Sequence, residues 1–174
     1  MMRALLLATL CTSAGVALPH AQEVSQEYQI KAAYLYNFLK YVEWPNPINR
    51  TFLICVAGQN PFGSVLDGLT KNERVRGNPV KTELILGPET GCDVIFMPRT
   101  SNIPAYLQDA AGRPILTVGE TPRFIEQGGI VNFFLENGKV RFEINRNAAE
   151  RAGLRISSRL LQLAKIVDPE TEER

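Results

Sequence analysis

Short apolar runs that alternate with helical segments constrain the fold of this chain more than any other feature of its sequence. Residues 51–58, 92–97 and 113–120 are apolar, rich in β-branched side chains and long enough to be buried strands. Segments with helical composition lie between them, at 60–69 and 103–112. Strands that are separated by helices form a largely parallel sheet with helices on both faces. The sequence therefore predicts a single three-layer α/β domain.

The second half of the chain carries a hairpin signal. Residues 130–144 contain two strand-like runs on either side of Asn137 and Gly138. Asn-Gly between such runs favours a two-residue turn that joins antiparallel strands. A half-exposed strand is also predicted at 78–86, where apolar and polar residues alternate. The predicted sheet is therefore mostly parallel, with an antiparallel C-terminal hairpin.

Residues 25–44 form the longest predicted helix, and five aromatic residues lie between positions 34 and 45. Apolar side chains occupy a wider arc of this helix than one sheet face requires. One side is therefore expected to pack on the sheet, and the other to contact a second copy of the chain or a partner protein. Core packing is the competing interpretation for these rings. The candidate contact residues are Tyr34, Phe38, Tyr41 and Trp44.

The segment 145–167 is predicted to be helical in two pieces. In the second piece a stripe of apolar side chains is expected to face the core. The stripe consists of Leu160, Leu163, Ala164 and Val167. The acidic residues 168–174 that follow are predicted to be a disordered tail.

The first 21 residues have the layout of a cleavable secretory signal peptide. Arg3 precedes an apolar run at 4–10 that is too short to span a bilayer, and small residues follow it. A retained anchor or a lipoprotein is the alternative, but Leu10 before Cys11 argues against lipidation. The mature domain, residues 22–167, is therefore expected outside the cytoplasm.

Charge and histidine content disfavour several classes of function. Of the 19 basic residues, Arg3 lies in the leader, which leaves 18 basic against 18 acidic residues in the mature chain. Nucleic-acid-binding proteins usually carry a large basic excess, so no nucleic-acid partner is expected. The single histidine, His20, lies beside the cleavage site, so the mature chain offers no Ser–His or Cys–His pair and no histidine metal ligand. The sequence predicts a binding protein with no cofactor, no metal and no catalytic residue.

Two cysteines remain in the mature chain, Cys55 and Cys92. An oxidising compartment favours a disulfide between them. Two buried free thiols on neighbouring strands are the alternative. The sequence contains no C-x-x-C motif, so a redox enzyme is disfavoured.

A small-ligand site is the second functional hypothesis. Ligands of open parallel α/β sheets bind at the carboxyl ends of the strands. The loops at 58–62 and 119–123 would line such a pocket here. The chain would then be a ligand-binding sensor module.

Three stretches of the sequence resemble a known family. They are IKAAYLYNFLKYVEWP at 30–45, CDVIFMP at 92–98 and VRFEINRNAAERAGLRISSRLLQLAKIV at 140–167. Together they are similar to the YfiR-like family of bacterial periplasmic proteins. The resemblance covers essentially the whole mature chain and is most specific in the last stretch.

The resemblance implies a regulator and not an enzyme. Such proteins bind the periplasmic sensor region of an inner-membrane diguanylate cyclase and hold it inactive, which keeps cyclic-di-GMP and biofilm formation low. Release involves capture by an outer-membrane OmpA-like lipoprotein, or loss of the disulfide-bonded fold. Cys55 and Cys92 match the positions of a family disulfide, while the second cysteine pair of better-known members is absent from this sequence.

Overall fold

The fold is described by a computed structural model over residues 24–45, 50–88 and 91–169. The predicted signal peptide, 1–21, lies outside the described residues. Within those three ranges, no helix combines the length and the apolar character that crossing a membrane requires.

The packed body reaches into the segment predicted to be a tail. Asp168 accepts a hydrogen bond from the backbone N–H of Arg146 at 3.0 Å, and its carboxylate pairs with the Arg146 guanidinium. The body therefore extends at least to Asp168. The remainder of the predicted tail, from position 170 onward, lies outside the described residues.

Five helices and ten strands are defined in the described residues. The helices are α1 (Gln26–Tyr41), α2 (Val65–Thr70), α3 (Ile103–Ala110), α4 (Arg146–Arg151) and α5 (Ser158–Leu161). The strands are β1 (Val42–Glu43), β2 (Phe52–Ala57), β3 (Arg74–Val75), β4 (Asn78–Ile85), β5 (Val94–Met97), β6 (Leu116–Gly119), β7 (Val131–Glu136), β8 (Lys139–Ile144), β9 (Arg155–Ile156) and β10 (Lys165–Ile166).

Eight of these strands form one sheet in the order β10-β8-β7-β6-β5-β2-β4-β3. Strands β6, β5, β2 and β4 are successive parallel neighbours, and the β6–β7 and β8–β10 pairs are parallel as well. The β7–β8 and β3–β4 pairs are antiparallel. The β7–β8 hairpin turns at Asn137 and Gly138, whose φ angles of 50° and 73° are those that a tight hairpin turn needs. The predicted sheet, mostly parallel with an antiparallel C-terminal hairpin, is confirmed.

Helices cover both faces of the sheet. The larger core lies between the sheet and residues of α1, α2, α4 and α5, and the smaller core lies on the α3 side. Strand β5 supplies both cores, with Val94 and Phe96 in the larger one and Ile95 and Met97 in the smaller one. Successive side chains of a strand point to opposite faces, so a run that is apolar at every position is buried on both. The predicted three-layer α/β domain is confirmed.

Helix α1 is shorter than the sequence predicted. It begins after Ser25, whose hydroxyl accepts a hydrogen bond from the Tyr28 backbone N–H, and it ends at Tyr41. The next two residues leave the helix as β1, which pairs with β9 in a separate antiparallel ribbon. The helix expected at 25–44 ends early because this ribbon takes its last residues.

A disulfide joins Cys55 to Cys92, with a Cα–Cα distance of 5.9 Å. Cys55 lies in β2, and Cys92 lies just before β5, which pairs with β2. Both side chains are buried in the smaller core. The structure therefore contains the predicted pair, and the alternative of two free thiols is wrong.

Candidate partner-binding groove

A groove runs between α1 and the segment that begins with α5, and its volume is about 210 Å³. Most of its lining is aromatic or aliphatic. The lining residues are Tyr34, Asn37, Phe38, Tyr41, Arg159, Leu160 and Leu163. Three of the four predicted contact residues therefore line one groove.

Tyr34 and Tyr41 form the accessible part of the α1 wall, where both side chains are half-buried. The Tyr34 ring lies 6.2 Å from the Phe38 ring and meets the Phe142 ring at 5.2 Å, centroid to centroid. These contacts restrain the Tyr34 ring before any partner arrives. Rigid aromatic side chains lose little conformational entropy on binding, so this wall is suited to a protein contact.

Phe38 and Trp44 belong to the core. Phe38 has no exposed surface and stacks on Phe133 with ring centroids 5.9 Å apart. Trp44 is 4% exposed and meets Phe52 edge-on at 5.5 Å. The contact role predicted for Phe38 and Trp44 does not fit this burial, and the core interpretation applies to them. The contact role of Tyr34 and Tyr41 stays a prediction.

Two exposed residues of the opposite wall were not among the predicted contact residues. Leu163 is 66% exposed, although it was expected to face the core beside Leu160. Helix α5 ends at Leu161, so Leu163 no longer follows Leu160 around the helix. Arg159 is exposed on the same wall. Helical periodicity could not reveal this, because α5 ends early and the chain continues into β10, which pairs with β8 at the edge of the sheet.

The β1–β9 ribbon holds the two walls of the groove together. The backbone N–H of Ser157 donates to the carbonyl of Tyr41 at 2.9 Å. Beside it, the Arg155 guanidinium pairs with the Glu43 carboxylate at 3.2 Å. The end of α1 is thus tied directly to the start of α5. A groove whose walls are already fixed requires little ordering when a partner binds.

A buried ion pair links the other end of α1 to the sheet. Lys31 and Glu120 are each 2% exposed, and Lys31 Nζ lies 2.6 Å from Glu120 Oε2. Lys31 also pairs with Glu27, one helical turn earlier. The other oxygen of Glu120 accepts hydrogen bonds from the Tyr28 hydroxyl at 3.0 Å and from the Arg99 backbone N–H at 3.3 Å. Charges buried in this way are stable only when they are paired and hydrogen-bonded.

A second cavity, of about 560 Å³, lies at the carboxyl ends of β2, β5 and β6. Its lining includes Gln59, Asn60, Arg99, Thr100 and Glu120. The predicted loop at 58–62 lines the cavity, whereas the predicted loop at 119–123 contributes Glu120 alone. The loop after β5 was missed by sequence reasoning. No group of side chains that could hold a metal ion occurs in the part of the chain that the structure describes.

The Tyr28 hydroxyl makes the stability of the fold depend on pH in the alkaline range. Burial, and then the neighbouring Glu120 carboxylate, raise the pKa of Tyr28 to about 12. An unfolded tyrosine has a pKa near 10, so the unfolded chain loses this proton first as the pH rises. The contribution to stability is therefore fully present below about pH 10 and is lost towards pH 12.

The change Tyr28→Phe should flatten this alkaline loss of stability. Urea unfolding at pH 8 to 11 measures it, because the difference between the variant and wild type isolates Tyr28 from the titrating lysines. Burial and Glu73 also raise the pKa of Tyr36 to about 12. Its contribution to stability therefore changes with pH in the same direction, and Tyr36 serves as a comparison. Equal slopes in the variant and in wild type would contradict the assignment.

Comparison with known proteins relates the chain to a family. The YfiR/HmsC-like family model matches residues 28–165. Among solved structures, a crystal structure of a conserved domain protein from Vibrio cholerae O1 biovar El Tor strain N16961 is similar, with 16% sequence identity and a TM-score of 0.48. The match covers 80% of this chain and 59% of the Vibrio chain, so this chain spans less than two thirds of that one. Because the family model covers well over half of the sequence, the chain belongs to the YfiR/HmsC-like family.

Proposed function

We propose that this chain inhibits an inner-membrane diguanylate cyclase by binding its periplasmic sensor region in the groove between α1 and α5. The observation that carries the proposal is the exposed Leu163, which lies with Tyr34 and Tyr41 in one restrained groove. Tyrosine and arginine are enriched among the residues that dominate binding energy at interfaces. Membership in the family supports the class of partner. A signal peptide at 1–21 would deliver the chain to the periplasm.

Inhibition of this kind needs no catalytic group. An inhibitor shifts a cyclase to its inactive state by the difference between its affinities for the two states. A difference of about 5.5 kcal/mol would convert a cyclase that is almost entirely active into one that is almost entirely inactive. The preformed groove contributes to such affinity because few of its groups need to be ordered on binding. Cyclic-di-GMP, and biofilm formation with it, would then stay low.

Release by capture would require a competitor for the same surface. An outer-membrane OmpA-like lipoprotein that covered the groove would exclude the cyclase, because the two could not contact Tyr41 and Leu163 together. Such competition would raise cyclase activity without any chemical change in this chain.

The groove can be tested with two charge substitutions on its opposite walls. Tyr41→Asp and Leu163→Asp should each weaken binding to the isolated periplasmic region of the cyclase by about tenfold or more, because each places a carboxylate at an apolar contact. Isothermal titration calorimetry with purified, oxidised protein measures the affinity. Melting temperatures of the variants show whether the fold is intact.

A matched control is available on the β7–β8 hairpin. Leu135 is 53% exposed and lies outside the groove, so Leu135→Asp makes the same chemical change on another surface. This control should bind as wild type does. Full affinity in both groove variants, with the fold intact, would assign binding to another surface.

A small-ligand sensor is the second candidate, and the 560 Å³ cavity favours it. It lies where open α/β sheets bind their ligands, and the loop predicted at 58–62 lines it. Arg99 supplies a cation at its wall, which suits a carboxylate or phosphate group. Thermal-shift measurements against a panel of anionic metabolites test this candidate. Stabilisation that disappears in Arg99→Ala supports it, and a panel without any stabilising compound argues against it.

A further inference from the structure

A third cavity lies between α3, α4 and the start of β7, and its volume is about 860 Å³. This volume falls within the range of small-molecule sites in proteins. The cavity shares no described lining residue with the groove between α1 and α5, or with the 560 Å³ cavity. Its occupant is therefore a separate question from cyclase binding.

Small side chains on two helical segments leave this space open. Ala110 and Ala111 line it from the end of α3, and Ala148 and Ala152 line it from α4 and the residue that follows α4. Each contributes no more than a methyl group to the walls. Protein interiors are otherwise closely packed, so a volume of this size between helices is suited to a ligand.

The floor of the cavity is buried and apolar. Ile115 and Ile130 are each 3% exposed. Thr117 is equally buried, and its hydroxyl accepts a hydrogen bond from the Ile130 backbone N–H at 3.0 Å. This polar atom is therefore already engaged. Water gains few hydrogen bonds on such a surface, whereas an apolar molecule that covers it is stabilised by the hydrophobic effect.

The charge at the cavity is positive. Among the lining residues that the structure describes, Arg151 is the only charged one. It is the last residue of α4 and is exposed, so its guanidinium lies towards the mouth of the cavity. Gln108 and Gln127 are exposed polar residues of the same lining. A buried apolar floor with a cation at the mouth complements a molecule that has an apolar body and an anionic head.

The lining also indicates the shape of the apolar body. None of the described lining residues is aromatic. Planar ring systems are commonly held by stacking on aromatic side chains, and this cavity offers no such surface in its described part. Leu107, Ile115 and Ile130 instead present branched aliphatic side chains. These favour a flexible aliphatic chain over a planar ring.

We propose that this cavity binds the aliphatic chain of a fatty acyl compound, with the anionic head of that compound at Arg151. A free fatty acid and the acyl chain of an anionic phospholipid share this chemistry. The chain covers the buried floor at Ile115 and Ile130, and the guanidinium pairs with the carboxylate or phosphate. The chain would then have a lipid-binding site in addition to its partner-binding groove.

Calorimetric titration of the mature, oxidised and delipidated protein with sodium dodecanoate, below its micelle concentration, tests the proposal. Dodecanoate should bind with micromolar affinity, and octanoate should bind about tenfold more weakly or worse, because fewer methylene groups are buried. Arg151→Ala should weaken dodecanoate binding by about fivefold, because it removes the cation at the head group. Ala111→Trp fills the cavity from an exposed position and should abolish binding.

A matched control and a map of the site accompany these variants. Arg141→Ala removes an exposed arginine of β8 that does not line the cavity, and it should bind dodecanoate as wild type does. In wild type, dodecanoate should shift the backbone amide signals of Ala111, Gly112 and Gly128, all of which line the cavity. This map locates the site even if a variant fails to fold.

Vesicles of phosphatidylglycerol distinguish the two sources of the chain. Cosedimentation of wild type that Ala111→Trp abolishes would assign the site to a membrane phospholipid. Dodecanoate binding without cosedimentation would assign it to a free fatty acid. The proposal is overturned if wild type shows neither cosedimentation nor heat and amide shifts with dodecanoate. It is equally overturned if folded Ala111→Trp and Arg151→Ala both bind dodecanoate as wild type does.

Discussion

Replacement of Lys31 by methionine should lower the free energy of unfolding by about 3–5 kcal/mol, because it leaves the Glu120 carboxylate buried without its cation. Lys31 is 2% exposed and lies 2.6 Å from a carboxylate that is equally buried. The two residues are 89 positions apart, so their contact ties α1 to the end of β6. Urea unfolding at neutral pH, followed by tryptophan fluorescence or circular dichroism, measures the loss.

Two further variants separate the ion pair from the other effects of the substitution. Lys40→Met makes the same change at an exposed position of the same helix, where the ammonium lies over the Tyr36 ring, and should cost less than about 1 kcal/mol. Lys31→Met with Glu120→Gln removes both charges and should regain a large part of the lost stability. A Lys31→Met protein as stable as Lys40→Met would show that the pair does not hold α1 in place.

Removal of the Cys55–Cys92 disulfide should lower stability by about 4 kcal/mol in the chain-entropy account, since the bond closes a loop over a sequence separation of 37. Both sulfur atoms are buried in the smaller core, so Cys55→Ala with Cys92→Ala adds the loss of packing around them. Comparison of oxidised wild type, reduced wild type and the double variant by urea unfolding separates the two effects. Reduced wild type reports the cross-link alone.

The double-alanine variant also provides the control for the reducing agent. Its unfolding should be the same with and without reductant, because no disulfide remains in it. Equal stability of oxidised and reduced wild type would show that the cross-link contributes nothing to this fold.

The arrangement of the sheet was predictable because it depends on local patterns. Val94 to Met97 are apolar at every position, a pattern that is required only in a strand covered on both faces. They form β5, which lies near the centre of the sheet. Asn137 and Gly138 adopt the positive φ angles that make their dipeptide a hairpin signal. In both cases the information lies within a few neighbouring residues.

The groove was predictable only in part, because its shape depends on contacts between distant segments. Helical periodicity predicted that Tyr34, Phe38 and Trp44 lie in one apolar helix. In the structure Tyr34 is accessible in the groove, whereas Phe38 and Trp44 are buried in the core. Leu163 has the same side chain as Leu160, and it is exposed because α5 ends after one turn. No local pattern determines where such a short helix stops, since β10 is fixed by its pairing with β8.

The buried ion pair was not predicted for a related reason. Lys31 lies in a predicted helix among apolar residues, and Glu120 ends a predicted strand, with nothing in either pattern that connects them. Their contact exists because α1 packs on one face of the sheet with its first turns at the carboxyl end of β6, beside the 560 Å³ cavity. Burial of a charged side chain becomes visible only when the tertiary structure is known.

The most direct test of the proposed inhibition is a titration of full-length cyclase in nanodiscs with the purified, oxidised mature chain. The cyclases to use are the membrane diguanylate cyclases of the same organism that have a periplasmic sensor region, and cyclic-di-GMP formed from GTP is measured. We predict that for one of them the rate falls saturably to a small residual value, and that Leu163→Asp requires about tenfold more protein for the same effect. Unchanged rates for every such cyclase, at concentrations where the chain is folded and disulfide-bonded, would contradict the proposal.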